Sequence, residues 1–397
     1  MAPRQPDRTT VPGGARRQPP PVTMPDRATL ADRILAFRDR TLARPAFQRW
    51  ATRIWPVSLH ARREAKALFD LTAGFAYSKV LAACVRLGVL DRLAERPMTA
   101  GELAAAVGLE PDAAERLLRA GAALRLLSRR RAGRYGLGAL GAALLGQPGV
   151  RAMIVHHDAM YEDIADPVGL LASGGPGERL GRTWAYATAD RPDALAPEAA
   201  GDYTAIMAAS QAFIAEEVLS AFSFAPFRCL LDVGGGNGTF LSMVARRHPD
   251  LSLQLFDLPA VAHHARERLA AEGLSGRVSV TAGSFRHDGL PTGADVVSLI
   301  RIVHDHPDDT VRALLSRVRT ALPPGGILVV AEPMAGTGGA EAVEAYFVMF
   351  LLAMGSGRLR TRDEIARLLA DAGFEGVREH RTATPMLVRV LSARRAG

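Results

Sequence analysis

The run Leu230-Leu231-Asp232-Val233-Gly234-Gly235-Gly236-Asn237-Gly238-Thr239-Phe240-Leu241 passes from a buried-strand pattern through four glycines into a helical one. Glycine reaches positive φ and lets backbone approach a ligand closely. Gly234, Gly236 and Gly238, following Asp232, are therefore expected to cradle a nucleotide-like cofactor. Nineteen residues past Gly238 a second apolar strand ends in Phe256-Asp257, where a carboxylate can meet a ribose hydroxyl pair. Two cofactor classes suit these features. The dinucleotide fingerprint spaces its glycines so that a helix N-terminus faces a pyrophosphate. Here the third glycine of Gly234-x-Gly236-x-Gly238 comes one residue early, which decides only in part between NAD and S-adenosyl-L-methionine, a ligand without phosphate; the motif that follows tips the reading to the methyl donor. A fourth strand leads into Arg301-Ile302-Val303-His304-Asp305-His306-Pro307-Asp308-Asp309. A histidine just past the carboxyl end of a parallel strand lies on the edge where open α/β sheets bind ligands. Its imidazole, with an ordinary pKa of about 6.5, can take a proton near neutral pH. His304 is thus a candidate base, the alternative being a surface histidine in a polar loop. Asp305, Asp308 and Asp309 read as helix-start residues, and no metal site is expected.

The elements that must hold these groups follow from the pattern beyond residue 226. Short apolar strands are expected at Cys229 to Val233, Leu251 to Phe256, Val278 to Thr281, Asp295 to Ile300 and Ile327 to Ala331, alternating with helices. That alternation is the signature of a parallel sheet with crossover helices, an α/β fold. A helix from Arg362 to Ala372 and two last strands, near Val377 to Arg381 and Met386 to Leu391, would complete a sheet of seven. Upstream the chain divides into a Pro- and Gly-rich tail over 1–24, a helical region over 25–146, and a helical linker over 147–225 that borders the pocket. Within the second region, Thr99 and Glu102 form a capping box. Helices there are followed by a ribbon, Leu124 to Ser128 and Arg134 to Leu137, in the order of a winged helix. As a DNA reader its second helix offers only Glu115, Arg116 and Arg119 among alanines and leucines, so packing or dimerisation is the favoured role.

The 397 residues are 48% apolar with a formal net charge of +8. Nearly every basic residue is arginine, in a chain rich in alanine and glycine, which points to coding bias more than to a nucleic-acid footprint; no nucleic-acid partner is expected. Two isolated cysteines, Cys84 and Cys229, exclude a disulfide framework or structural zinc site. The longest apolar run, Tyr346 to Met354, is about half of the ~18 residues a membrane span needs. No secretory signal opens the chain, and the expectation is a cytoplasmic protein, at most in peripheral contact with a membrane.

Leu230 to Gly238, Phe256-Asp257-Leu258-Pro259, Val303-His304-Asp305, Pro324-Gly325-Gly326, Ala331-Glu332-Pro333 and Arg360-Thr361 to Phe374 resemble, in order, the motifs of the class I small-molecule O-methyltransferases of the caffeate and hydroxyindole type. Leu87-Gly88-Val89-Leu90-Asp91 and Met98 to Ala104 resemble that family's dimerisation domain. The resemblance implies a homodimer with a Rossmann-like methyltransferase sheet, using S-adenosyl-L-methionine and no metal. It implies that His304 deprotonates the acceptor hydroxyl while two carboxylates position the ring. By motif these are Glu332 and Glu364, 28 and 32 residues apart in turn. Leu258 and Arg301 are implied cofactor contacts. Glu332 could instead simply end a strand, and Glu364 could cap its helix with Thr361.

Where many relatives place an acidic residue near the adenine, this chain has Ser284-Phe285, leaving Phe285 to stack. A polar wall position of some relatives is Met354, in a segment apolar nearly all round. With Met160, Tyr203, Met207, Met349 and Phe350 it is expected to line a pocket for an elongated apolar ligand, the alternative being a dimer-interface helix. Phe69 to Ser78, His156 to Tyr161 and Ala165-Asp166-Pro167 resemble the carotenoid methylase group, the demethylspheroidene and hydroxyneurosporene O-methyltransferases. This implies methylation of the tertiary C1 hydroxyl of an acyclic carotenoid. A phenolic natural product is the alternative acceptor, and a non-catalytic winged-helix regulator the alternative of another class.

Overall fold

The computed structural model describes residues 29–55, 57–183 and 210–397. Two compact units result, Met1–Ala76 and Tyr77–Gly397. In the first, α1 (Leu30–Leu42) opens on a capping box between Thr29 and Asp32, and α2 (Pro45–Ala51) carries proline in its first turn, where its missing N–H costs nothing.

Helix α3 (Val57–Arg86) runs from the first unit into the second, where its end contributes Ala82, Cys84 and Val85 to a core. By length and composition it could cross a membrane. The sequence reading overlooked it because Asp70 and Lys79 interrupt the apolar run without lowering its average much. The core it joins is built by α4 (Val89–Glu95), α5 (Ala100–Val107), α6 (Pro111–Ala123) and the antiparallel ribbon β1 (Leu127–Arg129) and β2 (Tyr135–Leu137). Leu90, Leu103, Leu118 and Leu127 are almost wholly enclosed there. The expected capping box of Thr99 and Glu102 starts α5. Helices α7 (Ala139–Leu145), α8 (Pro148–Asp163), α9 (Pro167–Ser173) and α10 (Glu178–Thr183) follow.

After α11 (210–221) comes the seven-stranded sheet, ordered β5-β4-β3-β6-β7-β9-β8. Its parallel members are β3 (Cys229–Val233), β4 (Ser252–Asp257), β5 (Val278–Ala282), β6 (Val296–Ile300) and β7 (Ile327–Glu332). Stretches such as Val296-Val297-Ser298-Leu299-Ile300, apolar but for Ser298 and buried at every position, are what a sheet covered on both faces requires. Covering helices are α12 (Thr239–Arg247), α13 (Pro259–Ala271), α14 (Asp308–Ala321) and, after α15 (Glu341–Met354), which packs instead on α8, α9 and α10, the helix α16 (Arg362–Asp371). The hairpin β8 (Phe374–His380) and β9 (Arg389–Arg395) adds two strands, β9 antiparallel to β7. The last strand begins three residues later than expected from Met386. Pro385 cannot donate to a ladder, and Leu387 and Val388 instead close a turn on the Thr384 carbonyl at 3.0 and 3.2 Å.

Strand order decides the site. The carboxyl ends of β4, β3, β6 and β7 stand side by side, about 4.8 Å apart. They deliver Asp257, the glycine turn, the His304 loop and Glu332 to one edge.

Candidate active site

The glycine turn begins where β3 ends. Gly234, Gly236 and Gly238 have φ of 71°, 58° and 80°, a region that strains any side chain. A Cβ on Gly234 would lie 2.3 Å from the Ile302 side chain, so this turn packs directly against the loop carrying His304. A Cβ on Gly235 would meet the Asp232 carboxylate at 2.8 Å. Asp232 itself is sealed beneath the turn, accepting from the Ser298 hydroxyl at 2.6 Å. Burial pushes its carboxyl up to about 7, with Asp257 adding to the effect against the Ser298 bond.

At the end of β4, Asp257 accepts from the Gly236 N–H at 2.8 Å through one oxygen and from the Leu258 N–H at 2.7 Å through the other. Each oxygen retains a lone pair, enough for a vicinal diol. Burial raises this carboxyl to about 6 against the lowering effect of the two N–H donors. The positive-φ glycines, the open space before Gly236 and the half-spent carboxylate fit an adenosine-bearing cofactor. Asp257 would hold the ribose, and the turn would admit the amino-acid end. Ser284 is turned inward: its N–H donates to Asp288 at 2.8 Å and its hydroxyl accepts from the Arg286 N–H. Phe285 is partly exposed and meets His306 edge-on, 5.2 Å between ring centres. Arg301 has φ of 60°. Its N–H donates to Ala331 O and its guanidinium reaches Ser210 at 2.8 Å.

His304 lies in a short 3-10 turn, 5% exposed. Its Nδ1 is 2.5 Å from Oε2 of Glu332, the residue ending β7. The other Glu332 oxygen accepts from the Ile302 and Val303 N–H groups at 2.9 and 2.6 Å. One carboxylate therefore fixes both the ring and the backbone that carries it. On the far side of the ring, Asp305 Oδ1 is 3.1 Å from Nε2. Burial alone would lower the imidazole pKa, but Asp305 and Glu332 together outweigh it and hold the pKa above the usual 6.5. The neighbouring His306 goes the other way, burial pulling it down to about 4.

Glu364 is not brought to the imidazole. It closes the capping box of α16 with Thr361 and pairs with Arg358 at 2.9 Å, contacts that hold its carboxyl near 2. The second acid beside the ring is Asp305, its own chain neighbour. Met160, Phe350 and Met354 are buried in one apolar cluster with Leu170 and Leu180, and Met349 packs against it partly exposed. Tyr203 and Met207 lie outside the described residues. The aromatic side chain that meets His304 is Phe347, edge-on with 5.8 Å between ring centres.

Sequence reasoning also passed over Arg360, singled out only as part of a motif. It is 1% exposed. Its guanidinium donates to the carbonyls of Val303 at 2.6 Å and His306 at 2.9 Å, and to Asp308 at 2.6 Å. This fork brackets His304 and fixes the loop from below. A signal was available: an arginine between apolar Leu359 and a helix cap is out of place unless it has buried partners.

Family models describe two parts of the chain, an O-methyltransferase domain over residues 182–375 and an O-methyltransferase dimerisation domain over 69–147. The demethylspheroidene O-methyltransferase of Cereibacter sphaeroides is 45% identical over 87% of this chain and 91% of its own. The enzyme of that name from Rhodobacter capsulatus is 38% identical over 98% and 97%. Among solved structures, CalO1, a methyltransferase in calicheamicin biosynthesis in its SAH-bound form, matches with a TM-score of 0.68 and 29% identity. That match covers 84% of this chain and 98% of CalO1. With both domains matched and a near relative aligned over most of its length, the chain belongs to the S-adenosylmethionine-dependent O-methyltransferase family.

Proposed function

We propose that this enzyme methylates the tertiary C1 hydroxyl of an acyclic hydroxycarotenoid, with His304 as general base. The observation that carries the base assignment is the buried His304–Glu332 pair on a loop packed against the glycine turn. The acceptor reading is supported by the relatives named for demethylspheroidene and by the apolar surroundings of Phe347 and Phe350. When bound, S-adenosylmethionine supplies a methyl group made electrophilic by its sulfonium. With the Nδ1 proton held by Glu332, Nε2 is the ring atom left to take the hydroxyl proton once the acceptor oxygen replaces the Asp305 carboxylate that lies 3.1 Å from it. The imidazolium that forms is then flanked by Glu332 and Asp305. A tertiary alcohol is a poor acid, so proton removal concerted with methyl transfer counts for more than it would for a phenol. An acceptor of this class resides in lipid, and peripheral membrane contact belongs to the reading. The test is incubation of purified protein with labelled methyl donor and a panel of hydroxylated carotenoids and phenols. Label in a tertiary carotenoid ether is expected; label in phenols alone would refute the acceptor.

A further inference from the structure

We infer that the N-terminal unit carries a docking surface for an anionic lipid bilayer, built on α1 and α2. This deepens the membrane part of the reading above and rests on it only there. The charge of the chain is concentrated in this unit. Residues 29–66 hold nine Lys and Arg against three Asp and Glu, a net of +6. Residues 67–397, with 35 basic against 36 acidic side chains, are nearly neutral.

The second observation is the organisation of α1, which buries no side chain. At about 100° per residue, Leu30, Ile34 and Phe37 fall on one stripe; they are 73%, 60% and 67% exposed. Arg33 and Arg40 flank that stripe on one side and Arg38 on the other, while Asp32 and Asp39 lie opposite it. An apolar stripe edged by arginines, with the acids turned away, is the pattern of a helix lying in a bilayer interface. The flanking side chains can keep their stems in the apolar layer and their guanidinium groups among headgroups. Beyond α1, Arg44 and Arg49 continue the positive charge. Trp50 and Trp55, two of the three tryptophans of the chain, are 49% and 78% exposed, and indole rings favour the same depth.

A second copy of the chain fits less well. The dimerisation model begins at residue 69, and two surfaces of like charge repel. Nucleic acid would use the arginines but leave the apolar stripe and both indoles without a role.

The experiment is co-sedimentation of the full chain with vesicles of phosphatidylcholine alone, or of phosphatidylcholine and phosphatidylglycerol in equal parts. Binding to the anionic vesicles, released by high salt, is expected, with much weaker binding to neutral ones. One arginine near an anionic surface strengthens partition about five-fold. The variant Arg33→Gln/Arg40→Gln/Arg44→Gln should therefore partition on the order of 100-fold more weakly. Phe37→Asp should lose binding by a separate route. Donor binding and circular dichroism should be unchanged in both variants, as should turnover of detergent-dispersed acceptor, which reports on the acceptor reading independently. The inference is overturned by equal pelleting of wild type and variants, or by no pelleting with anionic vesicles. It is equally overturned if Phe37→Asp dissociates an oligomer without affecting vesicle binding, or if duplex DNA is retained where vesicles are not.

Discussion

Replacing Glu332 by glutamine changes one proton-accepting oxygen into a donor at nearly constant volume, and the surroundings dictate how the amide must sit. Oε1 holds the Ile302 and Val303 N–H groups at 2.9 and 2.6 Å. Leaving such donors unpaired in the interior costs roughly 1–3 kcal/mol each, so the amide oxygen stays with them and the NH2 turns to His304. Nδ1 must then accept, which moves the ring proton to Nε2, the atom that should receive the acceptor's proton. A positioned base contributes about 10²–10⁴ in rate, and kcat/KM of Glu332→Gln should fall on that order, with donor affinity and folding intact. Glu332→Ala is the poorer experiment, because two orphaned N–H groups would cost ~2–6 kcal/mol of stability and confound the reading. The assay is transfer of labelled methyl from saturating donor, with imidazole 15N shifts reporting the tautomer. His304→Ala should lose as much by itself, and the double variant no more than either, since Glu332 acts through the ring. Retention of activity within about ten-fold of wild type, or additive losses in the double variant, would refute the argument.

The pH dependence follows from the pair of acids. As the proposed base His304 must be neutral to act, and Asp305 and Glu332 hold its pKa above the usual value against burial. Turnover should therefore fall as pH decreases through a point above 6.5; Asp305→Asn should move that limb to lower pH, and an unmoved limb would dissociate Asp305 from the ring. Glu364→Ala should cost about 0.5–2 kcal/mol of stability through the lost cap, seen in thermal unfolding, and leave the acidic limb in place. A loss of turnover comparable to that of Glu332→Gln would return Glu364 to the catalytic group. Asp257→Ala should weaken donor binding by calorimetry about ten- to hundred-fold, the worth of hydrogen bonds to a charged group. For the same reason wild-type affinity should decline below pH about 6 as that carboxyl takes up a proton.

The parts of this molecule that backbone chemistry dictates are readable from residue order. Four glycines after an apolar strand require positive φ, and the turn has it at Gly234, Gly236 and Gly238. Thr99-x-x-Glu102 and Thr361-x-x-Glu364 are capping boxes wherever a helix follows, and both form. The second of these shows where motif transfer reaches its limit. The spacing from Glu332 to Glu364 matches the family's carboxylates, yet the same four residues also spell a cap, and spacing alone cannot say which hydrogen bond a carboxylate makes. Asp305, which reads in the sequence as a helix-start residue, is corrected for the complementary reason: the helix starts at Asp308. A neighbour in sequence usually points away from its predecessor, and only the 3-10 turn at Val303–Asp305 folds its carboxylate back to the ring.

That turn is itself a consequence of remote residues, which is why the catalytic geometry is harder to read than the fold. Glu332 pins the Ile302 and Val303 N–H groups from β7, and Arg360 pins the Val303 and His306 carbonyls from the residue before the Thr361 cap of α16. Gly357 completes the enclosure: its φ is 78°, and a Cβ there would lie 2.0 Å from the His304 carbonyl. Donors and acceptors of the loop are thus satisfied by side chains from two other elements rather than by the loop's own ladder, at the cost of burying a guanidinium and a carboxylate. Such an arrangement tolerates little movement, because any shift of the loop breaks charge-assisted bonds to buried groups. The rigidity would suit the role proposed for His304, a base that must meet one oxygen in one direction.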